Sequence, residues 1–203
     1  MSDRPDIRFF RDSVEGRKGE ILDAAVSVFA LEGYANGSMR RIAEEVGLTE
    51  PALYRHFAGK EDLFVTIIEH TGERIRSEVS PILQSATPDR LHEAAQALLS
   101  NRRGAAPAYV AVIQTILLGS AHNPAFLGAY RSAIVDPVVE RLSATVPAFD
   151  AHFGTESDPG ELPGRVRLLI SLIAGYFVMS YVFDAEELPI GDAIMRLMGW
   201  SES

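Results

Sequence analysis

The stretch LTEPALYRHFAGKEDL, residues 48–63, places Pro51, Tyr54, Arg55, His56 and Lys60 within ten residues. Two cations, a phenol and an imidazole are the donors that phosphate oxygens take. Enzymatic chemistry finds little footing elsewhere. The histidines at 56, 70, 92, 122 and 152 lack metal-ligand spacing, and the chain has no phosphate-cradling glycine loop and no Gly-x-Ser-x-Gly elbow. No cysteine is present, so disulfides, thiolate catalysis and thiolate zinc sites are excluded; this fits a reducing cytoplasm. No cofactor is expected.

The elements around these residues are helical. Ile21, Leu22, Ala25, Val28 and Phe29 share one helical face, and Gly33 is a natural stop. Ser38 can cap a second helix with Ile42, Ala43 and Val46 facing inward, ended by Gly47. Thr49 can cap a third, with Pro51 in its first turn and an end near Phe57. Gly59 opens a fourth that runs to about Val79, before Pro81. Further helices are expected at about 88–102, 105–119, 124–147 with a kink at Pro137, 163–184 and 190–199. The acidic segment 148–162 reads as a solvated loop. The expectation is an all-α chain of about nine helices.

Helix, glycine turn, helix over 38–57 is a helix-turn-helix, whose second helix can enter a DNA major groove. Thr49, Glu50, Pro51 and Ala52 would start that helix beside the bases, with Pro51 and Ala52 able to meet a thymine methyl. Ser38, Arg40, Arg41, Arg55 and His56 complete the candidate set; for His56, packing between helices is the competing role.

Residues 21–64 resemble the DNA-binding domain of TetR-type transcriptional regulators. The resemblance rests on Ala24, Ala25, Phe29, Gly33 and Tyr34, then Ile42, Ala43 and Gly47, then Leu53, Tyr54, His56, Phe57, Lys60 and Leu63. It departs at Ser38-Met39, where two hydroxyl residues are common, and at Pro51-Ala52, where glycine often stands, so the operator cannot be carried over. The resemblance implies phosphate contacts from Tyr54 and Lys60.

It also implies a division into a mobile arm (1–14), a DNA-binding domain (15–75) and a ligand-binding, dimerising domain (76–203). A homodimer would be built on Leu168, Leu169, Leu172, Gly175, Tyr176, Met179, Ile194, Leu197 and Met198. A small-molecule effector, apolar or aromatic, would meet some of Tyr109, Gln114, Thr115, His122, Asn123, Tyr130, Arg131 and Tyr176. The implied function is a repressor that a ligand releases from a double-stranded, palindromic operator. Control by a protein partner or by no ligand stays open, as does a helical enzyme or carrier that does not touch DNA.

The bulk numbers bound these readings. The 203 residues, 47% hydrophobic and 23% charged, suffice for a real core. Net charge is −9, yet residues 1–60 hold 9 basic and 10 acidic side chains, so a local positive face can exist. The start SDRPDIRFFRDS lacks the apolar core of a signal peptide. The 16-residue run at 168–183 is shorter than the roughly 20 a membrane span needs. No membrane partner is expected.

Overall fold

The structure, a computed structural model, describes residues 7–90, 93, 106–121, 123–156, 158–183, 194 and 196–200. Among them every regular element is helical: α1 (Arg17–Asn36), α2 (Met39–Glu45), α3 (Glu50–Leu53), α4 (Lys60–Ser85), α5 (Ala106–Ser120), α6 (Pro124–Tyr130), α7 (Asp136–Phe153) and α8 (Leu162–Phe183). A 3-10 turn spans Pro88–Arg90 and a π turn spans Arg131–Val135. None of the helices among the described residues is long and apolar enough to cross a membrane.

Contacts divide the chain into two compact units: Met1–Arg74 with Pro107–Ile134, and Ile75–Ala106 with Val135–Ser203. The first therefore recruits α5 from Pro107 onward, with α6, beside the N-terminal helices. Its core is aromatic. Phe64 meets Phe29, Tyr34 and Phe126 with ring centroids 5.8, 4.7 and 4.7 Å apart. Gly119 of α5 lies against the same ring, where any larger side chain would collide.

Ile7, Phe9 and Phe10, expected in a mobile arm, are buried. Phe9 and Phe10 are fully buried. The Asp23 carboxylate, itself buried in α1, accepts the backbone N–H of Phe9 at 2.8 Å and of Phe10 at 2.7 Å, and the Arg11 guanidinium at 3.0 Å. From α4, the Arg74 guanidinium donates to the Phe9 carbonyl and lies over the Phe9 ring at 4.3 Å. Two adjacent phenylalanines cannot stay in water cheaply once a carboxylate offers their backbone a partner.

In the second unit α7 and α8 pack around Val139, Val146, Phe149, Val166 and Leu169, and the C-terminal residues Ile194, Met198 and Trp200 close that core. Trp200 stacks on Phe149 at 4.9 Å and donates its indole N–H to Asp150 at 2.8 Å; Thr155 donates to the same oxygen. This explains one error of the sequence reading. Residues 148–153, read as loop, continue α7 because Phe149 and Asp150 face Trp200, and Gly154 (φ 63°) ends the helix.

The prolines also act differently from expectation. Pro81 lies inside α4, and one missing N–H does not stop that helix. Pro137 sits in the first turn of α7, where no N–H is required, and the π turn before it takes up the irregularity. The helix expected over 88–102 falls mostly outside the described residues.

Trp200→Ala removes the stacked ring and the indole partner of a buried carboxylate. We expect a loss of about 3–5 kcal/mol in the second unit, read as a lower midpoint in urea unfolding followed by circular dichroism. Asp23→Ala leaves two buried backbone N–H groups without their acceptor. It should cost about 1–3 kcal/mol and make residues 7–11 more susceptible to limited proteolysis than in the unaltered chain.

Candidate nucleic-acid interface

The helix-turn-helix is set by two side-chain caps and one glycine. Ser38 Oγ accepts the Arg41 N–H at 3.3 Å and Thr49 Oγ1 accepts the Ala52 N–H at 3.4 Å. These satisfy donors that the first turn of a helix leaves open. Between them Gly47 takes φ 65°, a left-handed conformation that only glycine adopts freely. The turn closes with Leu48 N–H on the Ala43 carbonyl at 2.8 Å.

Burial sorts the face of α3 and the turn after it. Ala52, Leu53 and Phe57 point inward; Thr49, Pro51, Tyr54, Arg55 and His56 are exposed, and Glu50 is half-buried. Ala52 is thus corrected: only 9% exposed, it faces the core and cannot offer its methyl to a base. His56 is at the surface rather than wedged between helices.

Lys60 is the larger correction. Its ammonium donates to the carbonyls of Tyr34, Ala35 and Gly37 at 2.9, 3.1 and 3.0 Å and lies 4.6 Å from the centre of the Tyr34 ring. An ammonium has three donors, and here all three are engaged with carbonyls. These carbonyls end α1 after Gly33, whose φ of 76° breaks the helix, so Lys60 serves as the C-terminal cap of α1. The Tyr34 phenol is pushed above its usual range, first by burial and then by the Glu61 carboxylate.

The α2 arginines are ion-paired. Arg40 Nε meets Glu44 Oε1 at 3.0 Å; Arg41 meets Glu44 Oε2 at 3.1 Å and Glu32 at 3.3 Å. Hydrogen bonds from Arg40, then Arg41, hold the Glu44 carboxyl below the usual range, and Glu44 and Glu32 raise Arg41. Arg17, on α1, donates to the Val46 carbonyl at the end of α2.

The candidate ligand residues that are described have differing surroundings. Asn123 caps α6, accepting from Ala125 N–H at 3.0 Å. Tyr109 is buried edge-on to Phe9 at 4.8 Å. Thr115 is buried with its hydroxyl unpartnered. Gln114 and Arg131 are exposed, and Tyr130 is half-buried, its phenol pushed up by burial. His122 and the Tyr176 side chain lie outside the described residues.

Of the expected interface, Leu168 and Leu172 are exposed on α8, with Gly175 open beside them. Leu169, Ile194 and Met198 are corrected: they are buried in their own chain's core, and Leu197 packs against it. The Met179 side chain is outside the described residues. Sequence reasoning also passed over Asp23, Glu44 and Asp150, because a carboxylate reveals its partners only after folding.

Lys60→Met removes three hydrogen bonds to the end of α1. Operator affinity should fall while the slope of log affinity against log salt stays unchanged, because no phosphate contact is lost. Arg55→Ala should reduce that slope by about 1. Fluorescence anisotropy across a salt series checks both; a flattened slope for Lys60→Met would restore its phosphate role.

Comparison with known proteins agrees with this geometry. Residues 21–67 match the model of bacterial regulatory proteins, tetR family. The transcriptional activator FasR of Mycolicibacterium smegmatis is 34% identical over 74 residues, 36% of this chain and 34% of FasR. The nucleoid occlusion factor SlmA of Aliivibrio fischeri is 41% identical over 69 residues, 34% of this chain and 35% of SlmA. The chain thus spans about a third of the length of these relatives. The structure of FadR from Bacillus subtilis in complex with stearoyl-CoA aligns with TM-score 0.65 at 17% identity, covering 88% of this chain and 96% of FadR. Residues 21–67, which include the helix-turn-helix, are thus similar to the tetR family of bacterial regulatory proteins, and the chain shares the all-helical fold of the FadR structure.

Proposed function

We propose that the chain is a sequence-specific DNA-binding transcriptional regulator that reads a two-fold symmetric operator as a homodimer. One observation carries this reading: Thr49, Pro51, Tyr54, Arg55 and His56 stand exposed on one short helix and its following turn, while Leu53 and Phe57 anchor it from behind. A surface rich in donors and held rigidly from within is what groove recognition requires. Tyr54 and Arg55 contact phosphate; Thr49, Pro51 and the exposed part of Glu50 lie toward base edges. The division of labour is DNA reading by the first unit and dimerisation by the second.

Dimerisation uses the exposed stripe of α8. Leu168 is 56% and Leu172 41% exposed, one turn apart, with Gly175 a further turn along. Apolar side chains repeated along one helix face call for a cover, and a second copy supplies it in isologous contact. Release by a small molecule is the regulatory part of the proposal, and repression its sign. Among proteins with this fold, FadR was solved with stearoyl-CoA, which makes that molecule a first probe. FasR is named an activator and SlmA a nucleoid occlusion factor; these names keep activation and control by a protein partner as the second reading.

Selection of bound duplexes from random DNA should return an inverted repeat with half-sites about one helical turn, or a multiple, apart. A single unrepeated site would contradict the dimer, and no enrichment at all would favour a helical enzyme or carrier. Leu168→Arg with Leu172→Arg should give a monomer in sedimentation and lose most operator affinity; a stable dimer would move the interface elsewhere. Where an effector binds, operator DNA must weaken it by the factor by which it weakens DNA, typically about 5–150-fold.

A further inference from the structure

We propose that Glu44 is an internal competitor of DNA phosphate, which occupies Arg40 and Arg41 and thereby holds down the sequence-independent part of DNA affinity. The proposal rests on the DNA-reading role of the helix-turn-helix. In such a motif the first helix crosses the phosphate backbone, and here that helix is α2, with both arginines on it.

Each oxygen of the Glu44 carboxylate takes a different arginine, Oε1 from Arg40 Nε at 3.0 Å and Oε2 from Arg41 Nη1 at 3.1 Å. Glu32, from α1, takes Arg41 Nε at 3.3 Å. Two cations thus face two carboxylates. A carboxylate and a phosphate offer the guanidinium fork the same paired acceptors. An arginine already neutralised by a carboxylate releases fewer counterions when it reaches a phosphate, so its share of the salt-dependent, sequence-independent affinity is reduced. Base-edge contacts from the start of α3 are untouched by this exchange. The net effect is to lower affinity for all duplexes alike while leaving the sequence-reading part in place, so that part makes up a larger share of the binding free energy.

The pairs are exposed, so the bland alternative is a helix-surface bridge of little consequence. A third possibility has the opposite sign: Glu44 aligns the arginines for DNA, through Nε of Arg40 and Nη1 of Arg41, and their other outer nitrogens turn to phosphate. Glu44→Gln separates all three, because it keeps shape and removes charge. Glu69→Gln, at an exposed site on α4, makes the same change in net charge and serves as control.

Binding of the full-length chain to a random duplex and to a selected operator is measured by anisotropy across a salt series. The proposal expects Glu44→Gln to bind random duplex about two- to five-fold tighter at low salt, with a slope steeper by up to about 1 per arginine released. Glu69→Gln should move neither value comparably. The operator-to-random ratio should stay unchanged, because the phosphate contacts are common to both duplexes. Unchanged values for Glu44→Gln overturn the proposal in favour of a surface bridge, and weaker binding overturns it in favour of alignment, with the DNA-reading role intact in both cases. If neither the unaltered chain nor Glu44→Gln binds any duplex in a salt-dependent way, the DNA-reading role itself fails.

Discussion

Three backbone carbonyls at the end of α1 converge on the Lys60 ammonium, and the geometry of the reading head follows from that meeting. The carbonyls are open acceptors because α1 ends at Asn36 and no further helical N–H follows to take them. The lysine begins α4, and α3 ends seven residues before it. Lys60 therefore joins the end of the first helix to the start of the fourth, and the helix-turn-helix is the loop of chain between the two. With Tyr34 below the ammonium and Phe64 and Phe126 against Tyr34, a charged cap rests on an aromatic core. That core includes a residue from α6, so the reading head is held by chain well beyond the motif itself.

Each unit ties down a terminal segment by the same device, a buried carboxylate that accepts N–H donors from it. Asp23 takes the backbone of Phe9 and Phe10, and Asp150 takes the indole of Trp200. In both cases aromatic burial supplies the driving force, and the carboxylate makes the docked position specific, since a buried acceptor left without donors is costly. At the surface, carboxylates do something else. Glu44 and Glu32 neutralise arginines that a polyanion would otherwise attract, in a chain whose net charge of −9 already disfavours indiscriminate DNA binding.

Local signals in the sequence located where both helices of the helix-turn-helix start, while the second ends at Leu53, short of the expected Phe57. Ser38 and Thr49 cap where side-chain chemistry required, and Gly47 turns where a positive φ was needed. Those features depend on residues three or four positions apart. What escaped depends on partners far along the chain. Lys60 reads as a surface cation until α1 is seen to end beneath it, 23–26 residues away. Ala52 reads as a base contact until its side of α3 is known. Ile194 and Met198 read as an interface because an apolar tail looks unpartnered until α7 and α8 form a groove for it. The arm at 7–14 shows two phenylalanines, but not the aspartate that receives their backbone.

The central claim, that Lys60 caps α1 and does not touch DNA, is tested most directly by NMR of the lysine side-chain ammonium. With all three donors on carbonyls, the Lys60 ¹⁵N–H signal should be protected from exchange with water and should keep its position when operator DNA is added. A signal lost to rapid exchange in the free protein, or one that appears or shifts strongly only on binding DNA, would contradict the cap and return Lys60 to the phosphate backbone.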